Sequence, residues 1–443
     1  MKTVRIGCGA GYSGDRIEPA VELAAKGSLD YLVFECLAER TIALAQKARL
    51  ADPSMGFDTL LEERMEAVLP LCAANGIRMI TNMGAANPLA AAARTRDIAH
   101  RLGLRGLRIA AVTGDDVLAE IRAGDMQVES LEGDMPDPQT WVSANAYLGV
   151  APLLEALNAH ADIVITGRVA DPALFLAPLM HEFGWQIDDW DRLGRGTVVG
   201  HLLECAGQLT GGYFADPGYK DVPDLAHLGF PIAEVSDDGA AEFGKVEGSG
   251  GVISRATCTE QLLYEIQDPA LYYTPDVIAD FSGVSIEELG RNRVRVMGAR
   301  GRSRPETLKV SLGYQDGFIG EGQISYAGPN AVRRAEVARE VLTQRLSNRA
   351  VSDLRFDLIG MNSIHGEQLS AGAPAPYEVR LRAAGRARSQ RDAAHIAREV
   401  EALYTNGPAG GGGATGSTKE VIAVHSCLIP RDALKHEIHF QES

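Results

Sequence analysis

The chain reads as an α/β protein, with a mostly parallel, Rossmann-like sheet domain over residues 1–224 and an α+β domain over residues 225–443. Three observations predict it. In the first half, short apolar runs alternate with helix-length segments, the pattern of βαβ units around a parallel sheet. Five of those runs end in polar, glycine-bearing turns. Past residue 225, period-2 stretches rich in Gly, Val, Ile and Ser replace the alternation.

Residues 4–8 form the first predicted strand, which runs into Gly9-Ala10-Gly11-Tyr12-Ser13-Gly14-Asp15-Arg16. A helix over 17–27 leads to a strand over 31–34 and the turn Glu35-Cys36-Leu37-Ala38-Glu39-Arg40. A longer helix over 59–75, closed by Asn75-Gly76, precedes Met79-Ile80 and the turn from Thr81 through Asn82 and Gly84 to Pro88. The helix over 89–102 starts just after Pro88, where proline suits a helix N-terminus. Strands over 109–112 and 162–165 end in Thr113-Gly114-Asp115-Asp116 and in Thr166-Gly167-Arg168-Val169-Ala170-Asp171-Pro172. Residues 195–209 read as a helix before a loop over 211–224. In the second half, 243–259 and 293–323 read as hairpins, 330–347 and 392–403 as helices, and 371–376 as a loop. The carboxyl ends of parallel strands share one edge of the sheet, where α/β proteins bind ligands. Polar turns collected on that edge mark an enzyme-like site.

Composition narrows the class. At 443 residues, two domains are expected. No apolar run approaches the ~18 residues of a membrane span, and Gly7, Gly9, Gly11, Gly14 and Asp15 interrupt any signal-peptide core. Six scattered cysteines with no C-x-x-C pair point to reduced thiols in a cytoplasmic protein. A formal charge of −16 argues against nucleic acid and anionic membranes as partners. It leaves a small-molecule substrate, and a homo-oligomer fits the habit of cytoplasmic enzymes.

Several groups of residues bear on the chemistry. Gly9-x-Gly11-x-x-Gly14, with Glu35 after the next strand, is formally the dinucleotide fingerprint. However, Asp15 and Arg16 stand where the following helix should begin, and an Asp beside a pyrophosphate is unfavourable; a substrate loop or a structural tight turn are the other readings. His201 and Glu204 share one helix face at i, i+3, beside Cys205, as a proton-transfer dyad or part of a divalent-metal site that His181, His227, Asp171 or Asp216 would have to complete. Otherwise His201 is a packed, hydrogen-bonded core residue. Arg168 can fork onto a carboxylate or phosphate, or pair with Asp171 and shape the loop. Arg291, Arg293 and Arg295, then Arg300, Arg302 and Arg304, alternate along strands, either as phosphate ligands for a coenzyme A tail or as a solvated hairpin face. The glycine run at 410–413, with Gly411 and Gly412 at its centre, offers bare amides to an anion or forms an unligated loop. No G-x-S-x-G elbow and no H-E-x-x-H motif occurs.

Residues 5–16, 29–46 (LDYLVFECLAERTIALAQ), 81–88 (TNMGAANP), 165–179 (ITGRVADPALFLAPL), 189–224, 300–328 and 405–414 resemble the acyclic terpene utilisation family, the AtuA-like proteins. The resemblance spans almost the whole chain. It implies a place in bacterial breakdown of acyclic terpenoids such as citronellol and geraniol, near acyl-CoA carboxylases and dehydrogenases. It carries over no catalytic residues, so the site rests on the residues themselves.

The resulting expectation is a hydratase- or dehydratase-type lyase acting on a branched carboxylic acid or its coenzyme A thioester. His201, Glu204 and Asp171 would move protons, and Gly9, Gly11, Tyr12, Glu35, Asn82, Gly84 and Arg168 would bind substrate. Arg300, Arg302, Gly411 and Gly412 would hold phosphates, with the metal question open. The rival readings are a non-catalytic acyl-CoA-binding partner of an acyl-CoA carboxylase, and a nucleotide-dependent oxidoreductase using NAD.

Overall fold

The computed structural model describes residues 2–443 and divides into two compact units. The first runs to Gly313 and is completed by Val424–Ser443; the second is Tyr314–Ala423.

Five parallel strands form the centre of the first unit: β1 (Thr3–Ala10), β2 (Tyr31–Phe34), β3 (Arg78–Thr81), β4 (Arg108–Thr113) and β5 (Ile163–Thr166). Their spatial order is β1-β2-β3-β5-β4. All four residues of β2 and of β5 are buried, as expected of strands covered on both faces. Crossovers between parallel strands are right-handed, so the direction of travel decides which face each helix covers. From β1 to β4 the chain advances one way, and α1 (Glu18–Lys26), α2 (Leu61–Asn75) and α3 (Pro88–Arg101) pack in sequence on one face. From β4 it steps back to β5, and α4 (Ala151–Asn158), α5 (Ala173–Phe183) and α6 (Trp190–Leu203) pack on one another in turn.

The sheet continues past this centre with antiparallel strands. Beside β1 lie β6 (Pro231–Ser236) and β7 (Ala241–Lys245); beyond them come β9 (Arg293–Met297) and β8 (Ser285–Gly290). At the other edge the C-terminal strand Glu437–Glu442 pairs with β4, giving ten strands in all. β1 therefore borders an antiparallel strand, unlike the 3-2-1-4-5-6 order of dinucleotide-binding sheets, where β1 has parallel neighbours. The change of texture near residue 224 has the same cause. Hairpins replace βαβ units there, yet they extend the same sheet, so residue 224 lies inside the first unit.

In the second unit, Phe318–Ala327, the later part of the strand Thr307–Ala327, pairs with Glu378–Ala387, which pairs in turn with Ser352–Ile359. Helices Ala331–Leu346 and Gln390–Asn406 bury Leu342, Ile396 and Val400 against Ile324, Tyr326 and Leu381 in a separate core. No helix among the described residues is long and apolar enough to cross a membrane.

One packing contact is made backbone to backbone. A Cβ at Gly194 of α6 would collide with the carbonyl of Arg300, and one at Gly301 with the carbonyl of Trp190. Neither glycine has positive φ, so the requirement is space alone. We expect Gly194→Ala to lower stability by about 1–3 kcal/mol through overpacking, despite alanine's better helix propensity. Gly133→Ala, where a Cβ meets nothing within 4 Å but φ is +86°, separates this steric effect from simple backbone strain. Urea unfolding of the two variants checks it.

Candidate functional site

The turns after β1, β2 and β5 converge on a cleft of about 930 Å³, closed by the segment beyond α6 and by Tyr147, Tyr264, Glu265 and Lys309.

The first turn is held by its own residues. A Cβ on Gly9 would meet the Phe34 ring at 2.6 Å, one on Gly14 the Tyr12 ring at 2.7 Å, and one on Gly11 the backbone of Cys205. The Gly11 amide donates to Asp15 Oδ2 at 2.9 Å. Beneath the loop lies the fully buried Arg64, which donates to the carbonyls of Ser13 (2.8 Å) and Asp15 (3.2 Å) and pairs with Asp58 at 3.1 Å.

Glu35 ends β2 and reaches the cleft. Its Oε1 accepts from Asn82 Nδ2 at 2.8 Å and from the Leu37 amide at 2.9 Å, while Asn82 Oδ1 accepts from the Cys36 amide at 2.7 Å. The turn after β3 thus fixes the turn after β2. Burial, and then the charge of Asp171, push the Glu35 carboxyl up to about 8, against the opposing pull of Arg168.

Arg168 is 1% exposed. Its guanidinium donates to the Leu37 carbonyl and to Asp171, and lies 4.3 Å from the centre of the Tyr147 ring. The Arg168 amide donates to Asp115 Oδ2 at 2.9 Å; that carboxyl, also bound by Asn145, is raised to about 6 by burial. Tyr147 in turn donates to Glu39 at 2.8 Å, which also takes Lys309 Nζ at 2.6 Å.

Glu204 follows the last residue of α6, and His201 sits in that helix's last turn. His201 Nδ1 is 3.0 Å from Glu204 Oε1. His201 is buried against the rings of Tyr272 and Phe281, at 5.4 and 5.6 Å between centres, and burial lowers it to about 4. Burial, Asp171 and Glu265 raise Glu204 well above the ordinary carboxyl range. A helix C-terminus is a further unfavourable place for a negative charge. Both shifts favour the uncharged pair, in which the neutral imidazole donates Nδ1–H to Glu204 Oε1 and Oε2 carries the acid proton. Glu204 faces the cleft and its Oε2 has no hydrogen-bond partner. His201 stands behind it.

Of the residues singled out from sequence, Gly11, Tyr12, Glu35, Arg168, Asp171 and Glu204 line one cleft. Asn82 and His201 bond to its walls, whereas Gly9 and Gly84 provide close packing, Gly84 against the Thr166 carbonyl. Arg168 pairs with Asp171, the second of the two readings open for it. Arg300 and Arg302 lie on a short exposed strand outside the cleft lining, Arg302 being 3.6 Å from Asp280. Gly411 and Gly412 belong to the second unit, where a Cβ on Gly411 would meet Ile324 at 2.9 Å and Tyr326 at 3.3 Å. No group of three or more His, Cys, Asp or Glu side chains among the described residues is placed to hold a metal ion. Sequence reading missed Arg64, Tyr147, Glu265 and Lys309. Only Glu265 carries a local irregularity, a left-handed backbone at φ 59°, and that is invisible in sequence.

Fold and site together define a mixed α/β protein with an acid-lined cleft at the carboxyl ends of its parallel strands. The profile of the acyclic terpene utilisation family protein AtuA matches residues 4–440, and the chain belongs to that family. No curated protein and no solved structure matches it.

The Glu35 shift has a measurable consequence. An unfolded Glu ionises near 4.5 and the folded one near 8, so folding retains a proton between those values. The contribution is fully present below about pH 4.5 and is lost as pH rises through 8, with a slope of at most ~1.4 kcal/mol per pH unit. In Glu35→Gln that component vanishes. We expect the stability of wild type relative to Glu35→Gln to fall steadily from pH 5.5 to 7.5 in urea titrations; a constant difference would show Glu35 ionising normally.

Proposed function

We propose that the chain is an enzyme of branched terpenoid breakdown, a hydratase- or dehydratase-type lyase acting on a carboxylic acid or its acyl-CoA thioester. Membership of a terpene utilisation family supplies the pathway context. The observation that carries the chemistry is the pair of buried carboxyls, Glu35 and Glu204, raised towards the neutral acid in one cleft beside Asp171. Groups whose surroundings keep them protonated at neutral pH are suited to donate protons, and a neighbouring carboxylate held by a cation is suited to accept them.

In the dehydration direction, Asp171, salt-bridged to Arg168, takes the proton from the carbon next to the substrate carbonyl. Glu204 gives its proton to the departing hydroxyl, which leaves as water, and the C–C double bond forms. Hydration is the reverse. Glu35 holds the carbonyl oxygen: its Oε1 already accepts two hydrogen bonds, which leaves Oε2 to carry the proton and donate it to the developing enolate. His201 positions Glu204 by donating Nδ1–H to Oε1 at 3.0 Å, which leaves Oε2 to carry the proton that Glu204 gives up.

The alternatives have less support. A pyrophosphate would compete with Asp15 for the Gly11 amide, which weakens the NAD reading. Buried ionisable groups cost stability that a docking surface has no reason to spend, which weakens the carboxylase-partner reading. The phosphate roles of Arg300, Arg302, Gly411 and Gly412 find no support in the cleft lining, where the cations besides Arg168 are Arg16 and Lys309. The thioester therefore stays a variant of the substrate.

We expect Glu204→Gln to lower turnover of a branched 3-hydroxy or 2-unsaturated acid, offered free and as thioester, by about 10²–10⁴-fold with the fold intact. His201→Ala should lose turnover too. Activity should decline as pH rises through 8, where Glu35 loses its proton. Full turnover by Glu204→Gln would end the reading.

A further inference from the structure

A second cavity of about 540 Å³ adjoins the cleft. The two share three wall residues, Tyr147, Asp171 and Lys309. Beyond those shared residues the lining changes character: Leu131, Ala170, Pro172, Tyr272, Leu308 and Leu428 make it largely apolar. This volume is in the range of small-molecule pockets, and such sites combine an apolar body with a few polar groups at one end.

The connection to the proton-transfer groups is direct. Ala170 and Pro172 flank Asp171 in the turn after β5, and Leu308 precedes Lys309. Tyr272 stacks on Phe281 at 5.1 Å and touches the His201 ring, so one aromatic cluster forms both the pocket wall and the backing of Glu204. A ligand with one reactive polar end and one hydrocarbon end fits this division. Its polar end would meet Glu35 and Glu204 while its tail lies among the leucines.

We propose that this pocket is the hydrocarbon subsite, taking the methyl-branched tail of the substrate, and that Leu308 and Leu428 set its length. The inference rests on the cleft being the place of chemistry. It adds where the rest of the substrate lies and which residues select for it.

The test is equilibrium binding, read separately from turnover. Calorimetric titrations would compare a dimethyl-branched ten-carbon acid with its five-carbon, singly branched counterpart. Each methylene that enters the pocket should tighten binding by about fourfold. Leu428→Trp fills the cavity, and Thr307→Asp places a charge on its wall. Both lie at only partly buried positions, and thermal midpoints would confirm that they fold. Each should abolish the preference for the longer acid and leave the affinity for the shorter one within about twofold. Equal affinities in wild type, no binding of either acid, or an unchanged preference in both folded variants would overturn the proposal. Glu204→Gln should keep the chain-length preference. If the wall variants keep it while Glu204→Gln loses turnover, the tail assignment alone fails. If the preference behaves as expected but Glu204→Gln turns over normally, the lyase reading alone fails.

Discussion

The guanidinium of Arg168 is a full positive charge with almost no access to water, and burying an unpaired charge would cost many kcal/mol. Its partners come from separate pieces of chain: the Leu37 carbonyl from the turn after β2, Asp171 from its own turn, and the Tyr147 ring from the segment before α4. Meeting the needs of one cation therefore fixes three turns relative to one another. Asp115, from the turn after β4, adds a fourth by holding the Arg168 amide. The cleft has its shape because this charge must be surrounded.

One cation cannot neutralise the carboxyls gathered around it. Asp171 takes the direct salt bridge, Lys309 serves Glu39, and Glu35 and Glu204 remain in low-dielectric surroundings with no ion pair of their own. For them the cheaper state is the neutral acid. Asn82 and the Leu37 amide orient Glu35, and His201, itself kept neutral by the rings around it, orients Glu204. Charge on Arg168 and Asp171 and neutrality on Glu35 and Glu204 follow from a single allocation of partners.

Local features of the fold were legible in sequence, and non-local ones were not. The five parallel strands and the turns that close them come from short apolar runs and glycine punctuation, both carried by adjacent residues. Their order needs contacts across the sheet, and antiparallel β6 beside β1 removes the expected Rossmann arrangement without any trace in the βαβ pattern. The i, i+3 spacing of His201 and Glu204 placed them on one helix face, but which of them reaches the cleft is decided by Tyr272 and Phe281, some seventy to eighty residues away. The glycines of the first turn fit a ligand motif, a substrate loop or a tight turn in sequence, and only the fold shows that Phe34, Tyr12 and Cys205 leave no room for a Cβ at any of the three. Lys309 and Glu265 reach the cleft from late segments whose local sequence gives no hint of it.

In the proposed reading, the apolar pocket and the raised acids act together. A hydrocarbon tail settling against Tyr272 and Leu308 would remove water from beside Asp171 and from the aromatic cluster behind Glu204. Less water lowers the local dielectric, which raises the cost of ionising Glu204 and strengthens the attraction between Arg168 and Asp171. Binding energy from a part of the substrate that does not react would thus reinforce the division between the proton donor and the charged acceptor. A short substrate would leave the pocket wet and lose that reinforcement, so selection for chain length and the strength of the acid would arise from the same displaced water.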